Sequence, residues 1–164
     1  MNQTHPEDAR RARIIERIKA QTGIDEAMIE TLVHAFYARV RNDPLIGPVF
    51  TSRISDWDVH LQRMCLFWSS VVLMSGRYHG TPMQKHAPLP VDARHFDQWL
   101  DLFQQTAHAV CPPAAAQLFI ERATMIARSL ELGVAAAHGT MPGSDGRYFA
   151  TPAAAATAVP ISSD

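Results

Sequence analysis

The sequence predicts an all-α domain. Apolar residues recur at the 3.6-residue period in every long segment. No segment shows the strict alternation of a half-buried strand. Proline, glycine and one Asn-Asp pair separate the periodic segments. The 164 residues amount to a single domain, large enough to bury a core and still enclose a ligand of several hundred Å³.

Pro6-Glu7-Asp8 opens the first helix, because proline fits a first turn and acids favour a helix N-terminus; residues 1–5 are expected to fray. Ile14, Ile15 and Ile18 give this helix a thin apolar stripe that stops at Gly23. Arg10, Arg13 and Arg17 share another face, read as a solvated surface on a helix that covers the core. A second helix runs from Asp25 to Arg41. Met28, Ile29, Leu32, Val33, Phe36 and Val40 follow its period, and Tyr37 borders the stripe. Asn42-Asp43-Pro44 ends it, Gly47-Pro48 bends the link, and Phe50 is expected to point inward.

Ser55 is expected to cap a third long helix, which continues to about Ser75 and stops at Gly76. Its sharpest stripe is His60, Met64, Phe67 and Val71, with Leu61, Trp68 and Val72 alongside. The segment Tyr78 to Pro90 holds one glycine and three prolines and reads as irregular. Val91 is expected to begin a helix through about Ala109, with Phe96, Trp99, Leu100 and Phe103 on one face. After Cys111-Pro112-Pro113 a last helix carries Leu118, Phe119, Met125, Ile126, Leu130 and Leu132, ending at Gly133 or Gly139. Residues 138–164 show almost no periodicity and are expected to form a mobile or loosely attached tail, in which the alanine-rich run 153–158 has no face to bury. The expected domain therefore spans 1–137, with a core of about 24–137 behind an N-terminal helix of about 6–22.

Charge and composition narrow the function. Fifteen basic and sixteen acidic residues leave a net charge of −1, which gives no steering field for a polyanion, and no nucleic-acid partner is expected. No apolar run approaches the ~20 residues of a membrane span. The polar, charged N-terminus carries no signal peptide, and Cys65 and Cys111 make no disulfide scaffold, so a reducing, cytoplasmic setting is expected. There is no phosphate-binding loop, dinucleotide fingerprint or zinc-finger spacing, and no serine or cysteine sits in the context of a nucleophile.

The chemistry centres on His86. It lies in the short proline-bracketed segment between the two helices with the most aromatic faces. Haem needs an axial nitrogen donor and a large apolar slot, and the irregular backbone at Gln84–Ala87 offers a carbonyl for the other ring nitrogen. The rival metal reading uses His79, His86 and His95 with Asp92 and Asp97, a set with no recognised spacing. His60 is read either as a hydrogen-bonded core histidine or as a donor to an iron-bound ligand. Tyr37 and Trp99 have the same two readings, as edge-of-core residues or as donors into the cavity. Phe50, Met64, Phe67 and Trp68 are core residues under either reading.

Four ordered segments carry a resemblance: His34 to Asp43 with Gly47-Pro48-Val49-Phe50, then Trp57-Asp58-Val59-His60 leading to Phe67-Trp68, then Gln84 to Pro90, then Phe96 to Phe103. The chain resembles a truncated haemoglobin of the third group. The resemblance implies a shortened globin fold, a two-over-two helical sandwich around haem, preceded here by an extra helix. It places the proximal iron ligand on His86, the distal tyrosine on Tyr37, the distal-helix histidine on His60 and the distal tryptophan on Trp99. Phe50 becomes the corner phenylalanine on the porphyrin, and Phe67 and Trp68 match the aromatic part of the long distal helix; Met64, on the same helix, is read with them as a candidate for cofactor contact. Arg53, Arg63, Arg77, Tyr78 and Lys85 are candidates for the propionates.

The implied cofactor is haem b, iron protoporphyrin IX. The implied ligands are O2, CO, NO or peroxide, with nitric oxide dioxygenase or peroxidase-like activity drawing on an external reductase. A haem-based sensor or carrier without turnover is a second reading. A cofactor-free helical interaction protein is a third.

Overall fold

The structure, a computed structural model, describes residues 5–151. The expectations for residues 1–4 and for the run 153–158 fall outside that range. Seven helices and no strand occur among the described residues. Helix α1 spans Pro6–Thr22, α2 Glu26–Arg41, α3 Gly47–Thr51, α4 Trp57–Leu73, α5 Pro82–His86, α6 Ala93–Val110 and α7 Pro113–Ala137. Helices α2 and α4 form one packed pair and α6 and α7 the other, with α2 crossing onto α6. This is the two-over-two arrangement. The short Cys111-Pro112 link makes α6 and α7 antiparallel neighbours. Helix α1 lies over α4 and α7, with Ile15 and Ile18 against the core and Arg10, Arg13 and Arg17 exposed.

Local chemistry sets where each helix begins, and in places it differs from the sequence expectation. Asp25 caps α2 by accepting the Met28 N–H at 2.8 Å. The cap of α4 is Asp56, not Ser55: its carboxylate accepts the Val59 N–H at 3.1 Å. That helix stops at Leu73, because Met74 adopts the left-handed conformation (φ 56°) before Gly76 is reached. Helix α6 starts at Ala93, not Val91. The Asp92 carboxylate bonds the Arg94 N–H, and the His95 ring accepts the Asp92 N–H at 3.0 Å, a reciprocal cap that leaves Val91 in the link. Gly133 does not end α7. It lies inside the helix, and a Cβ there would collide with the Met83 sulfur of α5.

The corner between α2 and α3 is held by Asp43. Its carboxylate accepts the Leu45 and Ile46 N–H groups at 2.9 Å each and the Gln98 side chain of α6 at 2.7 Å. These bonds keep the Asp43 carboxyl below the ordinary carboxylate range despite burial working against them. The core is aromatic. Phe103 stacks between Trp68 (centroids 4.8 Å apart, planes at 22°) and Trp99 (5.5 Å, 15°), and Phe36 meets Trp99 and Phe103 edge-on.

The first part of the expected tail is not loose. The chain turns at Gly139 (φ 67°), and Tyr148 is buried against Val91, Val134 and Ala135. One anchoring ring without periodicity leaves no pattern for sequence reading to detect.

Gly47 is buried, and a Cβ on it would lie 2.9 Å from the Val40 carbonyl oxygen, a backbone atom that cannot swing aside. Gly47→Ala is therefore expected to cost about 1–3 kcal/mol, measured as a lower urea midpoint at unchanged slope.

Candidate functional site

Where the two helix pairs cross, they enclose a cavity of about 320 Å³, inside the usual range for small-molecule sites. Its walls are mostly apolar. Phe67 and Met64 come from α4, Phe50 from α3, Phe96 from α6, and Ile126 and Leu130 from α7. Trp68 and Trp99, the outer members of the aromatic column, reach the same space.

His86 is the last residue of α5 and lines the cavity. Its Nδ1 lies 2.7 Å from the Pro82 carbonyl oxygen. A carbonyl can only accept, so Nδ1 carries the proton and Nε2 keeps its lone pair. Burial, with the nearby Lys85 charge, lowers the His86 pKa below the ordinary histidine value, against the opposing pull of the Pro82 bond. The ring is therefore a neutral, oriented nitrogen donor.

Three polar side chains line the same cavity. Tyr37 is 5% exposed, and burial, with the Cys65 thiol a lesser cause, raises its pKa far above the ordinary phenol range, so the hydroxyl stays protonated. His60 meets the Tyr37 ring edge-on at 5.1 Å. Its Nε2 is shut off from solvent and has no hydrogen-bond partner. Burial first, then the charges of Arg63 and Lys85, lower the His60 pKa to about 4, which keeps the imidazole neutral at pH 7. Trp99 is the third, and the Asp43–Gln98 bond ties its neighbour to the α2–α3 corner.

Of the cations considered for the acidic edge of a cofactor, Arg53, Arg63 and Lys85 line the cavity and are exposed. Tyr78 lines it as well, edge-on to Phe67 at 5.2 Å. Arg77 does not; it pairs with Glu26 at 3.2 Å. His79, His86, His95, Asp92 and Asp97 form no metal-holding group, and the described residues contain none of three or more such side chains.

Sequence reasoning missed part of the wall. His95 was noticed only as a zinc candidate, yet it lines the cavity from the first turn of α6. Leu89 and Val91 enter from the link and Ile54 from beyond α3. Ile126 and Leu130 carried a signal, their four-residue spacing, but a stripe does not say whether it meets protein or ligand. The residues present fit a haem iron. One mostly apolar cavity brings together an oriented imidazole, an orphaned buried imidazole nitrogen and exposed cations.

The bacterial-like globin family profile matches residues 20–129. The group 3 truncated hemoglobin ctb of Campylobacter jejuni is 33% identical over 109 residues, 63% of this chain and 86% of that protein. The group 2 truncated hemoglobin YjbI of Bacillus subtilis is 29% identical over 79 residues, 47% of this chain and 60% of that protein. Among solved structures, the group III truncated hemoglobin of Campylobacter jejuni superposes with a TM-score of 0.62 at 32% identity, covering 66% of this chain and 89% of that one. With fold, order of segments and profile in agreement, the chain belongs to the bacterial-like globin family and is a truncated haemoglobin of the third group.

Proposed function

We propose that this chain holds haem b through His86 and binds O2 and other diatomic ligands on the side lined by Tyr37, His60 and Trp99. Haem-based binding of small ligands belongs to the globin family at large. The observation that carries the assignment here is the pairing of His86, oriented by Pro82, with the unpartnered His60 Nε2 in one mostly apolar cavity. Protein interiors pack closely and rarely leave such a nitrogen unsatisfied. A cofactor-free interaction protein would have no use for either feature. The chain has no Cys-x-x-Cys-His attachment motif, which favours non-covalently held haem b. Arg53, Arg63, Lys85 and Tyr78 line the cavity and are our candidates for the propionates, and Phe50, Met64, Phe67 and Trp68 are our candidates for contact with the ring. The compartment we assign is the cytoplasm, in keeping with two free thiols and no helix among the described residues fit to cross a membrane.

When bound through His86, haem would supply the iron chemistry that polarises a small diatomic ligand. The residues supply the rest. The Tyr37 hydroxyl stays protonated and donates. The Trp99 indole N–H can only donate. His60, neutral at pH 7, donates through whichever nitrogen carries its proton, and His86 holds its own Nδ1 proton on the Pro82 carbonyl. Preorganised donors in a dry site stabilise developing charge far more than water does. Such polarity suits turnover better than storage. We assign the site to nitric oxide removal, O2 and NO giving nitrate, or to peroxide reduction. The chain carries no flavin or nicotinamide fingerprint, so electrons come from a partner reductase.

Apo protein titrated with haem is expected to develop a Soret band at one equivalent that moves on adding CO, and His86→Ala is expected to lose it. A band unchanged in His86→Ala would refute the assignment of the ligand. Tyr37→Phe and Trp99→Phe are each expected to speed O2 release by about tenfold or more, the kinetic equivalent of one lost charge-assisted bond. Stopped-flow rates equal to wild type would remove those donors from the account.

The buried imidazoles also set a pH dependence. The folded His60 pKa of about 4 lies below its unfolded value of 6.5, so the unfolded chain takes up protons first as pH falls. Apo-protein stability is therefore expected to drop as pH falls from about 6.5 toward about 4. His60→Gln is expected to flatten that part of the urea-midpoint curve.

A further inference from the structure

Past residue 129, where the family match ends, the chain folds back and lays its last described residues along the α5–α6 link. Arg147 latches this strap. Its Nε and one terminal nitrogen donate to the two Glu131 oxygens at 3.0 Å each, and the same terminal nitrogen donates to Asp97 at 2.6 Å and to the Ala93 carbonyl at 3.3 Å. Glu131 is buried at 5% exposure, while 25% of the Arg147 side chain and 60% of that of Asp97 remain in solvent. The Tyr148 ring packs on Val91, its N–H donates to Glu131 at 3.1 Å, and its carbonyl accepts the Ala93 N–H at 2.7 Å. The Ala150 N–H then donates to the Asp92 carboxylate, itself 1% exposed, at 3.0 Å.

The residues held in this way, Val91 to Ala93, close the link that leaves His86. Leu89 and Val91 in that link line the cavity beside His86. Helix α5 has only five residues and no buried residue of its own, so it cannot fix its own position by packing a stripe. Its orientation must be imposed from α7 on one side and from the link on the other. We propose that Arg147 is a positioning residue for the proximal side. By latching the strap it fixes Leu89 and Val91, and through them the way His86 presents its Nε2 to the iron. The inference rests on the haem assignment above, and it concerns a segment outside the family match.

The test uses the full chain with Arg147→Ala, Arg147→Lys and, as a stability control, Ile29→Val in the core of α2 away from the cavity. Three quantities are read: haem transfer to excess apomyoglobin, the ferrous iron–histidine stretch by resonance Raman, and amide exchange at Ala93 and Ala150 in the apo protein. For Arg147→Ala, haem loss is expected to accelerate by about tenfold, equivalent to one decade in the binding constant. The iron–histidine band is expected to shift or broaden, and both amides to exchange faster. Lysine keeps the charge but loses the fork, so Arg147→Lys is expected to fall between Ala and wild type, and it serves alone should Arg147→Ala not fold. Ile29→Val is expected to leave the iron–histidine band in place. Haem loss in the latch variants no faster than in Ile29→Val, with an unmoved band, overturns the proposal even when the amides open, since the strap is then support only. Amides that stay protected overturn it as well. A wild-type chain that takes up no haem overturns the haem assignment and this inference together. A haem-binding wild type indistinguishable from Arg147→Ala overturns this inference alone.

Discussion

The bond from His86 Nδ1 to the Pro82 carbonyl is the constraint on which the site depends. A free imidazole rotates and exchanges tautomers. One whose Nδ1 proton is committed to a carbonyl offers a single basic nitrogen in a single direction. The bond spans one turn of α5, so the helix exists in part to make it. Pro82 starts that turn and Pro88 follows it closely, which leaves room for five helical residues and no more. The shortness has a cost: α5 cannot anchor itself. Gly133 answers on one side by letting Met83 lie directly on α7, and the docked C-terminal strap answers on the other.

The cavity lining resolves a conflict between dryness and polarity. A slot for a flat hydrophobic ring must exclude water, yet a polarised ligand needs donors, and donors without partners are expensive to bury. The aromatic column of Trp68, Phe103 and Trp99 supplies the dryness and rigidity. Burial then fixes the protonation of the donors: the Tyr37 phenol stays protonated and the His60 imidazole stays neutral. The His60 Nε2, buried and without a hydrogen-bond partner, is the residue of that conflict, and under the proposed function a bound ligand would be its partner.

Much of this was legible in the sequence, and the failures have physical reasons. The long core helices announced themselves by apolar residues at the 3.6-residue period, as in Ile29, Leu32, Val33, Phe36 and Val40 of α2. On α7, however, the expected Met125 and Leu132 are exposed and a mainly alanine face with Phe119 is buried, because small residues let α7 pack closely. Helix ends were less legible, because a neighbouring carboxylate competes to cap: Asp56 displaced Ser55, and Asp92 delayed α6 by two residues. Gly133 misled because glycine marks close approach as well as termination. The strap was invisible because its anchors, Arg147, Tyr148 and Ala150, bond to partners far along the chain rather than to one another. At the site, the family resemblance assigned roles that periodicity alone left open for Tyr37, His60 and Trp99. It gave no role to His95, Leu89 or Val91, which reach the cavity from a link that periodicity cannot describe.

The most direct measurement is a crystal structure of the ferrous protein with haem and a diatomic ligand. The account predicts iron on His86 Nε2, the Pro82 bond to Nδ1 intact, and the Tyr37 hydroxyl or Trp99 indole within hydrogen-bond distance of the ligand. Iron held by His60 alone, with His86 swung into solvent and the ligand on the proximal side, would contradict it.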